Sequence, residues 1–351
     1  MNPKRKAVSI AAAGTALGVA GLAAIAVPAG AGEAPELPPV SAESLVESVL
    51  RADAPALSGT VEVDNDLGLP AVPGVPALDL ESARVYSDGE GRSRLALEDG
   101  ASEHTIVLDG NTLWNYDSAT NTVTRSPVDR AHGERPLGPE GERMADPTRL
   151  AAEFLRTVRE SSTVTVDGTA RVADRAVYEL VLTPKPAERT LLREVRVAVD
   201  SESRLPLRLS VHTNGTTEPA LRIGFSDIDF GAQPAELFRF TPPEGATVEQ
   251  EQQPQREDHM RDEVAGDVVG EGWDAVFVGQ LPAGLLDRQA PGERGENVRG
   301  LLGQVGTPVS GEFGSGHAIT TKVGTALVTD DGRVAFGAVP QQVLTEALGT
   351  R

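Results

Sequence analysis

The stretch VLDGNTLWNYDSATNTVTRSPV, residues 107–128, decides the fold class. Its apolar and polar residues alternate, and a period of two is typical of a half-buried β-strand. Asp109-Gly110 is a strong signal for a hairpin, because the tight turns that join two strands require positive φ angles. The residues SATN after Tyr116 form a second turn signal. The stretch therefore predicts three antiparallel strands, with Trp114 and Tyr116 on one face of the middle strand.

Similar short runs continue on both sides of this stretch. Asp167-Gly168 and Asn214-Gly215 are further hairpin signals between alternating runs. Helical spacing of apolar residues predicts two helices among the strands, at residues 41–53 and 146–158. The fold class predicted is mainly β (α+β): a half-open, strongly curved antiparallel β-barrel with helices covering one opening.

The N-terminal residues have the pattern of an export signal. Lys4, Arg5 and Lys6 precede an uncharged stretch that ends near small residues, and residues 1–31 fit a signal peptide. The stretch is also long enough for a retained signal anchor. Either alternative predicts an extracytoplasmic protein, located at the outer face of the cytoplasmic membrane or elsewhere in the cell envelope.

Composition shifts predict the remaining boundaries. Residues 32–40 are a Pro-rich spacer, residues 41–247 are the β domain, and residues 248–263 are a Gln/Glu-rich linker. Residues 264–351, which include Trp273, predict a small C-terminal α+β appendage with helices near 297–305 and 341–348.

Charge and residue usage exclude several function classes. The formal net charge is −20, and the 32 Lys and Arg residues form no basic stripe, which argues against nucleic-acid binding. There is no cysteine, which excludes disulfides and thiolate metal sites. The five histidines lack metal-ligand spacing, so no metal and no cofactor is expected. Ser315 and His317 lie two residues apart without a supporting group, so a hydrolase is the weakest hypothesis and no enzymatic activity is expected.

Four segments resemble one bacterial superfamily. Residues 107–128 resemble the hairpin "DG…LW.YDP….V" of periplasmic lipoprotein carriers (LolA-like), and VRVAVDSESRLPLRLSV resembles the strands that follow there. VADRAVYELVLTP is nearest to the regulators that bind an anti-sigma factor (RseB-like), and IGFSDIDFGAQPAELFRFTPPEGATV resembles the closing segment of the carriers. The resemblance covers residues 41–250. It implies a half-open barrel with an apolar cavity under a helical lid, which binds acyl chains without catalysis.

The resemblance and the strand spacing together give a set of cavity-lining candidates. Each of them could equally fill an ordinary packed core. The candidates are Ile106, Leu108, Trp114, Tyr116, Tyr178, Leu180, Leu182, Leu209, Val211, Ile223 and Phe225. A buried acyl chain would be held by about 25 cal/mol per Å² of apolar area.

The Pro-rich stretch LGLPAVPGVPALDL, residues 67–80, predicts an apolar loop, because prolines at this density do not fit a central strand. It either packs on the barrel or is exposed at the cavity mouth, where it would touch lipid, membrane or cargo. The mouth candidates are Leu67, Leu69, Val72, Val75 and Leu78.

Two functional hypotheses follow from these features. The first is an exported, non-enzymatic carrier or chaperone for a lipid or an acylated protein. The alternative is an RseB-like envelope-stress regulator that binds a membrane-bound anti-sigma factor or a similar partner, or a transport protein. Oligomeric state does not follow from the sequence.

Overall fold

The structure is a computed structural model, and it describes residues 34–53, 55–68, 82–99, 102–128, 159–250, 265–288 and 297–349. The chain divides into residues 1–36 and a compact unit of residues 37–351, which holds every element below. The described residues contain three α-helices, α1 (Ala42–Arg51), α2 (Val298–Val305) and α3 (Gln341–Gly349). The predicted helix at 146–158 lies outside the described residues, as does the signal at 1–31.

The described strands form two sheets, and the protein is mainly β, as predicted. The strands of the large sheet are β1 (Leu57–Asn65), β2 (Ser82–Ser87), β3 (Ser93–Asp99), β4 (Ser102–Asp109), β5 (Thr112–Asp117), β6 (Thr122–Pro127), β7 (Ser162–Val172), β8 (Arg175–Pro184), β9 (Leu192–Asp200), β10 (Pro206–Thr213), β11 (Leu221–Phe230) and β12 (Thr247–Gln250). Those of the small sheet are β13 (Ala265–Val269), β14 (Val276–Gln280), β15 (Thr307–Gly311), β16 (Gly314–Thr320), β17 (Thr325–Thr329) and β18 (Arg333–Gly337).

The large sheet has twelve strands in the order β12-β6-β5-β4-β3-β2-β1-β11-β10-β9-β8-β7. Its two edges, β12 and β7, are not paired with each other, so the described strands do not form a closed barrel. Cα atoms of β7 and β11 nevertheless approach within 8 Å, although three strands separate them in the sheet. The pairing is antiparallel except that β12 runs parallel to β6, so Val248–Gln250, assigned to the linker from the sequence, are a strand. The other domain boundaries stay predictions.

Two predicted turns differ in detail. In the β4–β5 hairpin Asp109 pairs with Thr112, so the loop residues are Gly110 and Asn111, and Gly110 takes the positive φ of 61°. Asp167-Gly168 is not a hairpin turn, because β7 continues through it to Val172. The register shifts there between Val166 and Thr169, and Gly168 has a φ of 80°, which makes the dipeptide a β-bulge. A Gly that supplies positive φ satisfies both structures, which is why the dipeptide alone does not distinguish them.

Helix α1 forms where the sequence predicts it. Ser41 is its N-cap, and the Ser41 hydroxyl accepts a hydrogen bond of 3.1 Å from the Ser44 backbone N–H. Leu45, Val46 and Val49 lie on one side of the helix and are buried. They pack on β8 and β9, so α1 covers this part of the large sheet.

The small sheet has six strands in the order β13-β14-β18-β17-β16-β15. Helix α3 packs on one face of it through Leu344, Ala347 and Leu348. The predicted helices near 297–305 and 341–348 are confirmed as α2 and α3, and the Asn297 side chain caps α2 by accepting from the Gly300 N–H at 2.8 Å.

Candidate functional site: an apolar face of the large sheet

One face of the large sheet carries unbroken rows of apolar side chains across several strands. Residues that pair across neighbouring strands point to the same face, so the pairing register shows which side chains share it. The longest row crosses six strands from β7 to β1 and consists of Val166, Leu180, Val197, Leu209, Ile223 and Val63. The row beside it begins with Val164, Leu182, Val195, Val211 and Leu221. We call this side of the sheet the apolar face.

The cover of the apolar face changes along the row. Leu180 and Val197 beneath α1 have no exposed surface. Leu209, Ile223 and Val63, further along the row, are only half-buried. We define the open end of the apolar face as Val63, Leu209, Val211 and Ile223. At this end an apolar ligand would find side chains that are held in register but still have accessible surface.

The apolar face continues through β2, β3 and β4. Leu95 pairs with Ile106 and both are buried, while Leu97 and Leu108 on the same face are half-buried. Phe225 of β11 is buried in the same cluster, close to Gly59, where a Cβ atom would meet the Phe225 ring at 2.9 Å. The predicted candidates Ile106, Leu108, Ile223 and Phe225 are therefore brought into one cluster.

The candidates Tyr178, Leu180 and Leu182 share the apolar face of β8, as their spacing predicts. All three are buried under α1, and the Tyr178 hydroxyl donates a hydrogen bond of 2.8 Å to the Pro38 carbonyl. Leu209 and Val211 pack against the same cluster from its side. The part of the apolar face formed by Tyr178, Leu180 and Leu182 is filled by the chain itself.

Trp114 and Tyr116 lie on the opposite face of the sheet. Trp114 pairs with Val107 and Tyr116 with Thr105, whereas Ile106 pairs with Asn115. Both rings contact Phe240, with ring centroids 5.6 and 6.0 Å apart. They share one face, as predicted, but it is not the face of Ile106 and Leu108. That these two aromatics line a cavity stays a prediction, and their contacts are those of a local aromatic cluster.

The opposite face of β8 to β10 is mixed. Arg208 donates to Glu179 at 2.6 Å, and Arg196 contacts both Glu194 at 2.8 Å and Asp167 at 3.1 Å. Val177, Val181 and Ala198 lie on this same face and are buried. The opposite face therefore carries ion pairs beside buried apolar residues, whereas the apolar face carries unbroken apolar rows.

Two groups with shifted pKa values are His212, on the opposite face of β10, and Asp200, at the end of β9. Burial lowers the pKa of His212, and Arg193 and Arg196 lower it further, against the opposing effect of Glu194. Burial acts to raise the pKa of Asp200 at the end of β9, but hydrogen bonds from Arg175 and Ser203 hold it below its usual value. Neither group faces the open end of the apolar face, so both have structural explanations.

The predicted mouth loop is described only at its start. Leu67 lies two residues after the end of β1 and is half-buried, and its carbonyl accepts a hydrogen bond of 2.8 Å from the Lys322 backbone N–H. The loop therefore begins at the end of β1 that carries Val63. The remaining mouth candidates, Leu69, Val72, Val75 and Leu78, lie outside the described residues.

Sequence reasoning missed several residues of the apolar face. Val63, Leu95 and Leu97 lie in alternating runs that were predicted as strands, so their period of two could have placed them. Trp273 was assigned to the appendage but is buried among residues of α1, β8 and β9. No local pattern indicates that contact, because it joins residues far apart in the chain.

No cluster of metal-ligating side chains occurs within the described residues. Among the helices of the described part of the chain, none is long and apolar enough to cross a membrane.

No protein-family model and no curated protein matches the chain. Several solved structures are similar to it. MucB in the Pseudomonas aeruginosa MucA/MucB complex is 17% identical, with a TM-score of 0.45, covering 88% of this chain and 96% of that one. An uncharacterized conserved protein from Thermus thermophilus is 15% identical, with a TM-score of 0.36, covering 60% and 99%. A LolA superfamily protein from Nitrosomonas europaea is 16% identical, with a TM-score of 0.25, covering 57% and 99%.

These structural neighbours thus include MucB and a LolA superfamily protein. At these identities and TM-scores, the likeness does not show the function of this chain.

Proposed function

We propose that the chain is an exported, non-enzymatic carrier that holds an acyl chain of a lipid or an acylated protein against the open end of the apolar face. The observation that carries the proposal is the row from Leu180 to Val63, which is sealed under α1 at one end and half-exposed at the other. Half-buried Leu, Ile and Val side chains in one row offer a continuous apolar strip without polar groups. The free energy of binding to such a strip scales with the apolar area removed from water, at about 25 cal/mol per Å².

The proposal includes a half-open, curved sheet around the ligand. The approach of β7 to β11 supports it, because strands separated by three others in a flat sheet would lie about 19 Å apart. Among the described strands β12 and β7 are not paired with each other, and in this proposal a ligand enters between these two edges. Export through residues 1–31 and a place in the cell envelope belong to the same proposal.

Binding of a lipid with a single chain tests the proposal. The ligand should be zwitterionic, such as palmitoyl-lysophosphatidylcholine, because a protein with a net charge of −20 repels an anionic fatty acid. We expect saturable binding to the wild-type protein, measured by calorimetry below the critical micelle concentration. Absence of saturable binding would contradict the carrier function.

A matched pair of variants on β11 locates the binding surface. Ile223 belongs to the open end of the apolar face, and the adjacent Arg222 points to the opposite face, where it pairs with Asp64 at 3.0 Å. We expect Ile223→Gln to weaken lipid binding about tenfold, since it replaces a contact worth about 1.5 kcal/mol. Arg222→Gln should leave the affinity unchanged. Equal effects of both substitutions would place the ligand elsewhere.

A regulator that binds a membrane-bound partner is the second candidate, and an exposed patch on the small sheet favours it. Phe277 and Phe336 stack with ring centroids 4.9 Å apart, Phe336 is 52% exposed, and Val268 pairs with Phe277 and is 65% exposed. A regulator predicts that Phe336→Asp abolishes capture of the partner from envelope membranes while lipid binding is retained. Retained capture by the variant would exclude this patch as the partner surface.

A further inference from the structure

The side chain of Trp273 lies in the core beside the large sheet, although the residue lies in the segment between β13 and β14 of the small sheet. Trp273 is 4% exposed and is clustered with Leu45 and Val49 of α1 and with Leu180 and Leu182 of β8. These last two are residues of the apolar face. Trp273 thus belongs to the buried cluster that contains the sealed end of the row, whose other end is open.

The chain is built locally to seat this indole. The indole N–H donates a hydrogen bond of 2.8 Å to the Ser162 hydroxyl, and the Trp273 backbone N–H donates one of 3.0 Å to the Glu188 carboxylate. Gly272 before it has a φ of 79°, and a Cβ atom there would overlap the Ser161 side chain. The position requires glycine for both reasons.

Polar contacts also join the two sheets within the described residues. The Ala338 carbonyl accepts from the Leu191 N–H at 2.9 Å and from the Thr190 hydroxyl at 2.6 Å. Arg189 pairs with Glu346, and both side chains are about half exposed. Exposed ion pairs of this kind contribute little. In the described residues, Trp273 is an apolar contact between the segment of the small sheet and the large sheet.

The buried position of Trp273 affects how far an acyl chain can extend along the row. Leu180, Leu182 and Val197 have no exposed surface, so a ligand that extends from the open end along the row must displace a covering side chain. Helix α1 contributes three buried side chains on one continuous helix. Trp273 is a single side chain on a three-residue 3₁₀ turn, Gly272–Asp274. Moving this one side chain out of the cluster therefore disrupts less packing than moving α1.

We propose that Trp273 is an internal occupant of the sealed end of the apolar face, so that ligand binding there and docking of the small sheet exclude each other. The inference rests on the proposed carrier function. A long acyl chain displaces the indole and releases the small sheet, and the docked small sheet opposes binding of a long chain. The coupling is reciprocal, because each event changes the free energy of the other by the same amount.

The experiment uses the full chain with Trp273 as its single tryptophan, in a Trp114→Phe variant. Palmitoyl-lysophosphatidylcholine is added and the emission maximum and acrylamide quenching of Trp273 are followed. We expect a red shift and increased quenching that saturate with binding, since the indole leaves a buried site. In parallel, Trp273→Ala in the otherwise unchanged chain should bind the lipid about tenfold more tightly, within the usual range of allosteric coupling.

A second variant keeps the test independent of any folding defect in Trp273→Ala. Ser162→Ala removes the acceptor of the indole N–H, which weakens the binding of the indole in its buried position and should raise lipid affinity in the same direction. Arg222→Gln is the control, as it should not change lipid affinity.

The outcomes separate the two proposals. If the wild-type protein binds lipid while Trp273 emission stays unchanged and both variants bind no more tightly, then Trp273 is an ordinary core residue. The inference is then overturned and the carrier function stands. If no form of the protein binds lipid, the carrier function fails and this inference fails with it.

Discussion

At the scale of single residues, the buried end of β9 shows how one carboxylate fixes a turn. Asp200 is fully buried, accepts hydrogen bonds from Arg175 at 2.6 and 3.0 Å, and also accepts from the Ser203 N–H and hydroxyl. Burial alone would raise its pKa, but these donors hold the pKa below its usual value. A carboxyl with a depressed pKa in the folded state stabilises the fold above its unfolded pKa, and this contribution is lost as the pH falls through the folded value.

Asp200→Asn should therefore lower the free energy of unfolding at pH 7 by about 1–3 kcal/mol, because it leaves Arg175 without its buried partner. Between about pH 5 and pH 2 the stability of the wild-type protein should fall more steeply than that of the variant. Urea unfolding at a series of pH values measures both effects. Glu202→Gln is the matched control, since the Glu202 side chain also binds Arg175 but is 81% exposed. An equal loss in the control would contradict the role of burial.

Gly272 offers a second test at a single position. Gly272→Ala should destabilise the docked structure by about 1–3 kcal/mol, because it adds backbone strain to a steric overlap with Ser161. Gly284 has the same φ of 79°, and a Cβ atom there would meet nothing within 4 Å, so Gly284→Ala shows the strain alone. Thermal unfolding followed by Trp emission compares the two. A smaller effect at Gly272 than at Gly284 would argue against close packing of Gly272 on Ser161.

The sequence predicts the conformation of a residue well where neighbouring residues in the chain determine it. The Ser41 cap and the positive φ of Gly110 were predictable, because both are decided within a few residues. The bulge at Gly168 was not, since a glycine with positive φ also fits a hairpin turn. The face that Trp114 occupies was also open, because periodicity shows which residues share a face but not what covers it.

At the scale of elements, α1 is held by its buried side more than by its own propensity. A helix of this length is marginal in isolation. Leu45→Ala should cost about 2–5 kcal/mol, because Leu45 is fully buried on the apolar face. Glu43→Ala, on the exposed side of the first turn, should cost only a few tenths of a kcal/mol. Chemical denaturation measures both, and similar losses would show that α1 does not seal the apolar face.

The segment after β11 covers the opposite face. Phe238 in the 3₁₀ helix Ala235–Phe238 is fully buried, and Phe240 contacts Trp114 and Tyr116. Phe240→Ala should lower the free energy of unfolding by about 1–3 kcal/mol and shift Trp114 emission to the red in a Trp273→Phe background. Lipid affinity should not change, because the contact lies away from the apolar face. A lipid affinity that falls with Phe240→Ala would place the ligand on the aromatic side instead.

Elements with strong local signals were predicted well. The β4–β5–β6 hairpins, α1, α2 and α3 all occur where capping residues and periodicity place them. The parallel pairing of β12 with β6 was missed, because it joins residues more than a hundred positions apart and leaves no local pattern.

At the scale of the whole molecule, the small sheet contacts the large one at several places. Trp273, the hydrogen bonds to Ala338 and the contact of Lys322 with Asp66 at 2.5 Å join residues that the sequence assigned to separate regions. Long-range packing of this kind depends on the complementary shapes of the two surfaces and on the residues that surround the Trp273 indole. Composition and periodicity contain no information about it, so the sequence predicted the two sheets but not their contact.

Native mass spectrometry of the protein exported and purified from its own host is the decisive experiment on whether the apolar face holds an acyl chain. We expect a stoichiometric lipid or acylated peptide that is released by organic extraction, with reduced occupancy in Ile223→Gln but not in Arg222→Gln. A mass equal to that of the protein alone, in wild type and both variants, would show that the apolar face is a packing surface only.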